Sequence, residues 1–143
     1  LFKNLQKIRI VKSDRLLEHI RQKPLPECLK WVGDAKQIAD KYKLKLVCYE
    51  AGQHLVGVGG GENNNAMTKL FQTANRHPRM GEIYAQYLDG WKQAGGDLMC
   101  IFSSTGTWSK WGSWGLTEYF DETEHDQPKY KTVLDWNRQN PRE

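Results

Sequence analysis

The stretch that decides the fold is LKLVCYEAGQH, residues 44–54. Its first six residues are β-rich, and Glu50, Ala51 and Gly52 follow them directly. Such a run predicts a buried strand that gives way to a loop. A carboxylate at this point needs a hydrogen-bonding partner or an open cleft, because burying an unpaired charge costs free energy. Glu50 is therefore a candidate nucleophile or general base, and the alternative is a solvated residue at a strand end.

A second apolar run lies downstream, and helical patterns separate it from the first. Residues 97–102 (DLMCIF) predict a strand buried on both faces. The clearest helix between the two strands opens at Pro78, and its apolar residues recur at helical spacing: Met80, Ile83, Tyr84, Tyr87, Leu88 and Trp91. Strands joined through helices imply a parallel sheet with right-handed crossovers. The order of elements thus predicts an α/β fold.

The flanking segments add further helices and one short strand. Residues 7–11 (KIRIV) alternate basic and apolar side chains and predict a strand. A helix is expected over 13–22, and it should break at the two prolines of residues 23–26, which cannot donate backbone hydrogen bonds. Helices are also predicted over residues 31–42 and from Pro128 onward.

Composition and charge exclude several classes of protein. The 143 residues amount to one domain, and no apolar run approaches the length of a membrane span. The net charge of +4 comes from basic residues spread along the N-terminal region, which makes a solvated surface more probable than a nucleic-acid site. The three cysteines have no paired spacing, which excludes a disulfide scaffold and a zinc motif. The Gly-rich loop 57–65 (GVGGGENNN) lacks the Lys of a phosphate-binding loop.

The second unusual segment is TWSKWGSWG, residues 107–115, which holds three of the six tryptophans. Its glycines argue against a helix, and the spacing of three does not make an amphipathic strand. Flat aromatic rings in a loop suit stacking on sugar rings or on nucleobases. The alternative, of equal weight, is a hydrophobic plug under a long loop.

Three segments together resemble the C-terminal part of certain bacterial (β/α)8-barrel proteins, which look like clan A glycoside hydrolases and their uncharacterised relatives. They are residues 46–55 (LVCYEAGQHL), 87–91 (YLDGW) and 109–115 (SKWGSWG). The resemblance extends over about residues 14–139, although the relatives more often carry Gly where this chain has Ala51.

The resemblance implies a partial (β/α)8 barrel made of its last strands and helices, with parallel strands and crossover helices. Residues 97–102 would be the eighth strand. A complete barrel takes about 250 residues. Residues 1–143 are therefore expected to form one domain that is an incomplete barrel, either a fragment or a detached half-barrel.

The resemblance also implies a site for a β-linked oligo- or polysaccharide, without a metal or cofactor. Glu50 occupies the position of the clan's nucleophile. The expected substrate-binding residues are Tyr49, Gln53, His54, Trp108, Lys110, Trp111 and Trp114. The clan's acid/base Glu follows a fourth strand that this chain lacks, and the loop carboxylates Glu62 and Glu118 do not match its motif. The isolated chain is thus expected to be inactive without an upstream barrel portion.

The rival hypothesis is a non-catalytic interaction module. A half-barrel leaves sheet edges open, and open edges invite pairing. In that case the protein is a homo-oligomer whose aromatic loop binds a glycan or another protein.

Overall fold

A computed structural model describes residues 2–141, and the side chains of residues 12–141. Helices dominate the described chain, and two short strands lie among them. In chain order the elements are α1 (Phe2–Gln22), α2 (Pro24–Lys41), β1 (Cys48–Ala51), a 3-10 turn (Gly61–Asn63), α3 (Asn65–Asn75), α4 (Pro78–Gln93), β2 (Met99–Ile101) and α5 (Pro128–Gln139).

The two strands confirm one prediction and overturn another. β1 and β2 pair in parallel, with Cys48 opposite Met99 and Ala51 opposite Ile101. The connection between them runs through α3 and α4, so the expected parallel pair with a helical crossover is confirmed. The predicted partial (β/α)8 barrel is wrong, because the sheet of the described residues has two strands and the remaining elements are helices.

The strand predicted at residues 7–11 is also wrong, because this segment lies inside α1. Its alternating pattern covers five residues of a 21-residue stretch that contains neither Gly nor Pro. Without a helix breaker, the helix continues through the short alternating run. The expected break at the prolines is confined to Lys23, since Pro24 takes the first position of α2, where its missing N–H costs nothing.

Helix α4 lies at the centre of the core. Its predicted apolar stripe is confirmed, with Met80, Ile83 and Tyr84 buried against other helices and the long loop. The buried residues that join this cluster are Leu17, Leu25, Ala74 and Leu116. Helix α5 lies so close to α4 that a Cβ on Gly81 would stand 2.9 Å from the Pro128 carbonyl oxygen. Helix α4 also contacts the segment after β1, through the Tyr84 hydroxyl and Gln53, and the long loop 103–118, through Leu116.

Several large apolar side chains are exposed on α2 and around the sheet. On α2, the side chains of Trp31, Ile38 and Tyr42 are exposed. Tyr49 of β1 is 89% exposed, and Val47 and Leu98, which precede the two strands, are exposed as well. The predicted burial of the second strand on both faces is therefore wrong, because no described layer covers the sheet there. Among the described residues, no helix has the length and apolarity to cross a membrane.

Candidate functional site

The carboxyl ends of both strands open into a cleft of about 200 Å³. Because β1 and β2 are parallel, the residues that follow them emerge at the same edge of the sheet. The lining residues are Glu50, Ala51, Gly52, Gln53, His54, Phe102 and Trp114. Residues 50–54 come from the end of β1 and its loop, Phe102 follows β2, and Trp114 comes from the long loop.

Aromatic rings form two walls of this cleft. The rings of His54 and Trp114 stack with centroids 4.9 Å apart and planes inclined by 26°. The ring of Phe102 meets Trp114 edge-on, at 6.4 Å and 63°. Phe102 keeps about half of its surface exposed, so an apolar ring face remains open to a ligand beside the Glu50 carboxylate.

Gln53 joins the two loops that build the cleft. Its side-chain Nε2 donates to the Ser113 carbonyl oxygen at 2.9 Å, and its Oε1 accepts from the Leu55 backbone N–H at 2.7 Å. Its own backbone N–H donates to the Tyr84 hydroxyl of α4 at 3.2 Å. Gln53 therefore fixes Trp114 relative to β1, since Ser113 is the preceding residue.

The buried side chain of Lys129 also bonds to the loop that carries Trp114, at the same Ser113 carbonyl. Lys129 of α5 is fully buried, and its Nζ donates to the Ser113 carbonyl at 2.9 Å. The Nζ also lies 4.8 Å from the centre of the Trp108 ring, and the Arg76 guanidinium lies 4.2 Å from that ring. Burial, helped by the nearby Arg76 charge, lowers the pKa of Lys129 to about 7. Arg76 in turn forms an ion pair with the buried Glu118.

The structure brings some of the sequence-predicted residues together and separates others. Glu50, Gln53, His54 and Trp114 line the cleft together. The other predicted binding residues are not among those that line it: Tyr49, Trp108, Lys110 and Trp111.

Each of the separated residues has its own environment. Trp108 is 4% exposed and donates its indole N–H to the Gly115 carbonyl at 3.3 Å. This is the hydrophobic plug that the sequence left as an alternative for the tryptophan loop. The Lys110 Nζ lies 4.6 Å from the centre of the exposed Trp111 ring and donates to Asn63 Oδ1 at 2.9 Å.

Glu50 is the sole carboxylate among the described residues that line the cleft. The other two loop candidates have different partners. Glu62 accepts from the Gly60 backbone N–H at 3.0 Å and from Asn63 at 3.2 Å, while Glu118 pairs with Arg76. Retaining glycosidases need two carboxyl groups about 5–5.5 Å apart. The arrangement suits hydrogen bonding to hydroxyl groups better than two-carboxylate hydrolysis.

Sequence reasoning missed three residues that build the site. Phe102 directly follows β2, and Glu50 is the residue before the last one of β1, so the argument from strand ends could have found Phe102. Lys129 and Arg76 carry no local signal, because a single Lys after a Pro and a single Arg after a helix are ordinary surface patterns.

Within the described part of the chain, no group of three or more His, Cys, Asp or Glu side chains could hold a metal ion. No protein-family model, curated protein or solved structure matches this chain, and the relation to glycoside hydrolases stays a hypothesis.

Proposed function

We propose that this protein binds carbohydrate in the cleft at the carboxyl ends of its strands, and that it binds without hydrolysing. The observation that carries the proposal is the placing of one carboxylate, Glu50, beside the half-exposed ring of Phe102 and the stack of His54 on Trp114.

This combination fits the two kinds of surface that a sugar presents. The C–H face of a pyranose ring packs on an aromatic face, and the Phe102 ring offers one. The sugar hydroxyls need strong acceptors and donors around the rim. The Glu50 carboxylate accepts from hydroxyl groups, and the His54 imidazole donates or accepts according to its tautomer.

A titration with β-linked oligosaccharides, followed by tryptophan fluorescence at low and high salt, tests the proposal. Trp114 lies in the cleft wall, so bound sugar should change its emission saturably. Glu50→Gln and Phe102→Ala should each weaken binding by about tenfold, since each removes one ligand contact worth about 1.4 kcal/mol.

Two exposed residues outside the cleft give matched controls. Glu82→Gln removes a carboxylate on α4, and Phe120→Ala removes an exposed ring of the C-terminal loop. Both should leave sugar affinity unchanged. Equal affinity in wild type and in Phe102→Ala would refute the cleft as the sugar site. Affinity that falls steeply with salt would indicate a nucleic-acid or other polyanion site instead.

A second candidate function is self-association, favoured by the uncovered sheet. Each strand of the described sheet has one edge without a paired strand. Tyr49 of β1 exposes its side chain, and so do Val47 and Leu98 just before the strands. Open strand edges with apolar side chains are a template for pairing with another chain.

Sedimentation velocity over a concentration series tests this second candidate. Tyr49→Lys should shift a dimer toward monomer, because it places a charge on the strand that would be covered. Tyr119→Lys, at an exposed tyrosine outside the sheet, is the control. A wild-type protein that stays monomeric at all concentrations excludes this function.

A further inference from the structure

A second, larger cavity of about 370 Å³ adjoins the cleft. Its walls come from the junction of α1 and α2, from α4, and from the loop after β1. The residues that decide its character are Leu25, Cys28, Trp31, Leu55, Ile83 and Tyr87, all of them apolar or weakly polar. The volume is within the range of small-molecule pockets. We call it the apolar chamber.

The apolar chamber and the cleft share a wall. Gly52, Gln53 and His54 line both spaces. The apolar chamber and the cleft therefore adjoin along this short segment. Gly52 has a φ of 134°, and a Cβ at this position would stand 3.2 Å from the Tyr84 hydroxyl. Gly52 adds no side chain between the strand end and Tyr84, and the two spaces adjoin along residues 52–54.

The apolar chamber also holds a buried hydroxyl with an unused donor. Tyr84 is 2% exposed, and its hydroxyl oxygen accepts from the Gln53 N–H. Burial raises its pKa to about 12, so the phenol keeps its proton at neutral pH. No acceptor for this proton occurs among the described residues. A ligand oxygen at the boundary between the two spaces would satisfy it.

We propose that the apolar chamber binds the apolar aglycone of a neutral alkyl or aryl glycoside whose sugar lies in the cleft. The glycosidic oxygen joins the two parts at the shared wall, within the region of the Tyr84 hydroxyl. The exposed carboxylate of Glu27 at the chamber disfavours an anionic tail such as that of a fatty acid. This inference rests on the proposed sugar-binding function and names the ligand class of the same site.

The test is a homologous series of methyl, butyl, hexyl and octyl β-glucosides, each measured below its micelle concentration by isothermal titration calorimetry. Each methylene that enters the chamber should strengthen binding about fourfold, until the chain fills it. The same series of free alcohols separates the contribution of the tail from that of the sugar.

Three variants of the full chain test whether the gain in affinity per methylene arises in the apolar chamber. Trp31→Ala removes an aromatic wall that is 61% exposed, and Cys28→Phe fills the chamber with a larger side chain. Both should reduce the gain per methylene while leaving the affinity for methyl β-glucoside unchanged. Trp111→Ala is the matched control, because this tryptophan is 62% exposed and lies outside both spaces. It should bind the whole series like wild type.

The outcomes separate the two proposals. If methyl β-glucoside binds and longer tails bring no gain, the aglycone inference is wrong and the sugar site stands. If the free alcohols bind as tightly as the glycosides, and Trp31→Ala weakens the binding of both, the sugar adds nothing to affinity. That result refutes both the sugar site and a glycoside ligand. If Trp31→Ala turns a dimer into a monomer without affecting the series, a second copy of the chain covers the chamber and the inference fails.

Discussion

Replacing the buried Lys129 by Met should change how the stability of this protein depends on pH. Lys129 is fully buried, contacts the Ser113 carbonyl and the Trp108 ring, and faces the positive charge of Arg76. Its pKa is about 7 in the folded protein and 10.5 in the reference state. Because the folded value is the lower one, the unfolded chain holds more protons between these two values. Stability must therefore rise with pH across this window.

The size of the effect follows from the two pKa values. Between pH 7 and pH 9, titration of this one group should add about 2 kcal/mol to the free energy of unfolding. Below pH 7 the contribution should level off, because both states are then protonated. Tyr84 and Tyr87 do not contribute in this range, because burial raises both pKa values in the folded protein and their ordinary value of 10.0 also lies above pH 9.

Urea denaturation of wild type and Lys129→Met at pH 6, 7, 8 and 9 measures this effect. Other groups titrate alike in both proteins, so the difference between the two curves isolates Lys129. That difference should change by about 2 kcal/mol from pH 7 to pH 9 in favour of wild type. Lys131→Met removes an exposed ammonium of the same helix, and its curve should run parallel to wild type. Parallel curves for wild type and Lys129→Met would refute a buried ammonium with a lowered pKa.

Three further substitutions test the packing that holds the site, each by urea or thermal unfolding. Gly81→Ala should destabilise by about 1–3 kcal/mol, because its Cβ would stand 2.8 Å from Thr132 Oγ1 and 2.9 Å from the Pro128 carbonyl. Asn64→Ala should cost about 1 kcal/mol, since Asn64 Oδ1 caps α3 by accepting from two backbone N–H groups at 3.0 and 3.1 Å. Tyr84→Phe should cost about 1–2 kcal/mol, because the Gln53 N–H loses its acceptor. Stability equal to wild type in any of the three would contradict the contact concerned.

Local sequence patterns predicted an element correctly where its apolar spacing and its end residues lie close together in the chain, as in α4. The stripe of α4 recurs at helical spacing, and Pro78 and Gly95 mark its ends, with Gly95 in the left-handed conformation that a C-terminal cap requires. The position of Glu50 near the end of β1 follows from the same kind of pattern, although β1 begins only at Cys48 and residues 44–47 of the apolar run lie outside it.

Local patterns did not predict whether a side chain is buried, because that depends on residues far away in the sequence that pack against it. The apolar positions Trp31, Ile38 and Tyr42 do recur at helical spacing on α2, but all three side chains are more than half exposed, so they do not join the core. The triplet of tryptophans looked like one surface. Instead Trp108 turns inward to Lys129 and Arg76, Trp111 turns outward, and Trp114 alone of the three lines the cleft.

The sequence by itself determined helix α4, the connection of two strands through helices, and the carboxylate near the end of the first strand. These features depend on periodicity and on breaker residues within a few positions of each other. The tertiary structure alone decided that the sheet of the described residues has two strands, that Phe102 and Trp114 meet beside Glu50, and that Lys129 is buried beneath the loop. Burial and ring contacts join residues far apart in the chain, and no local spacing encodes them.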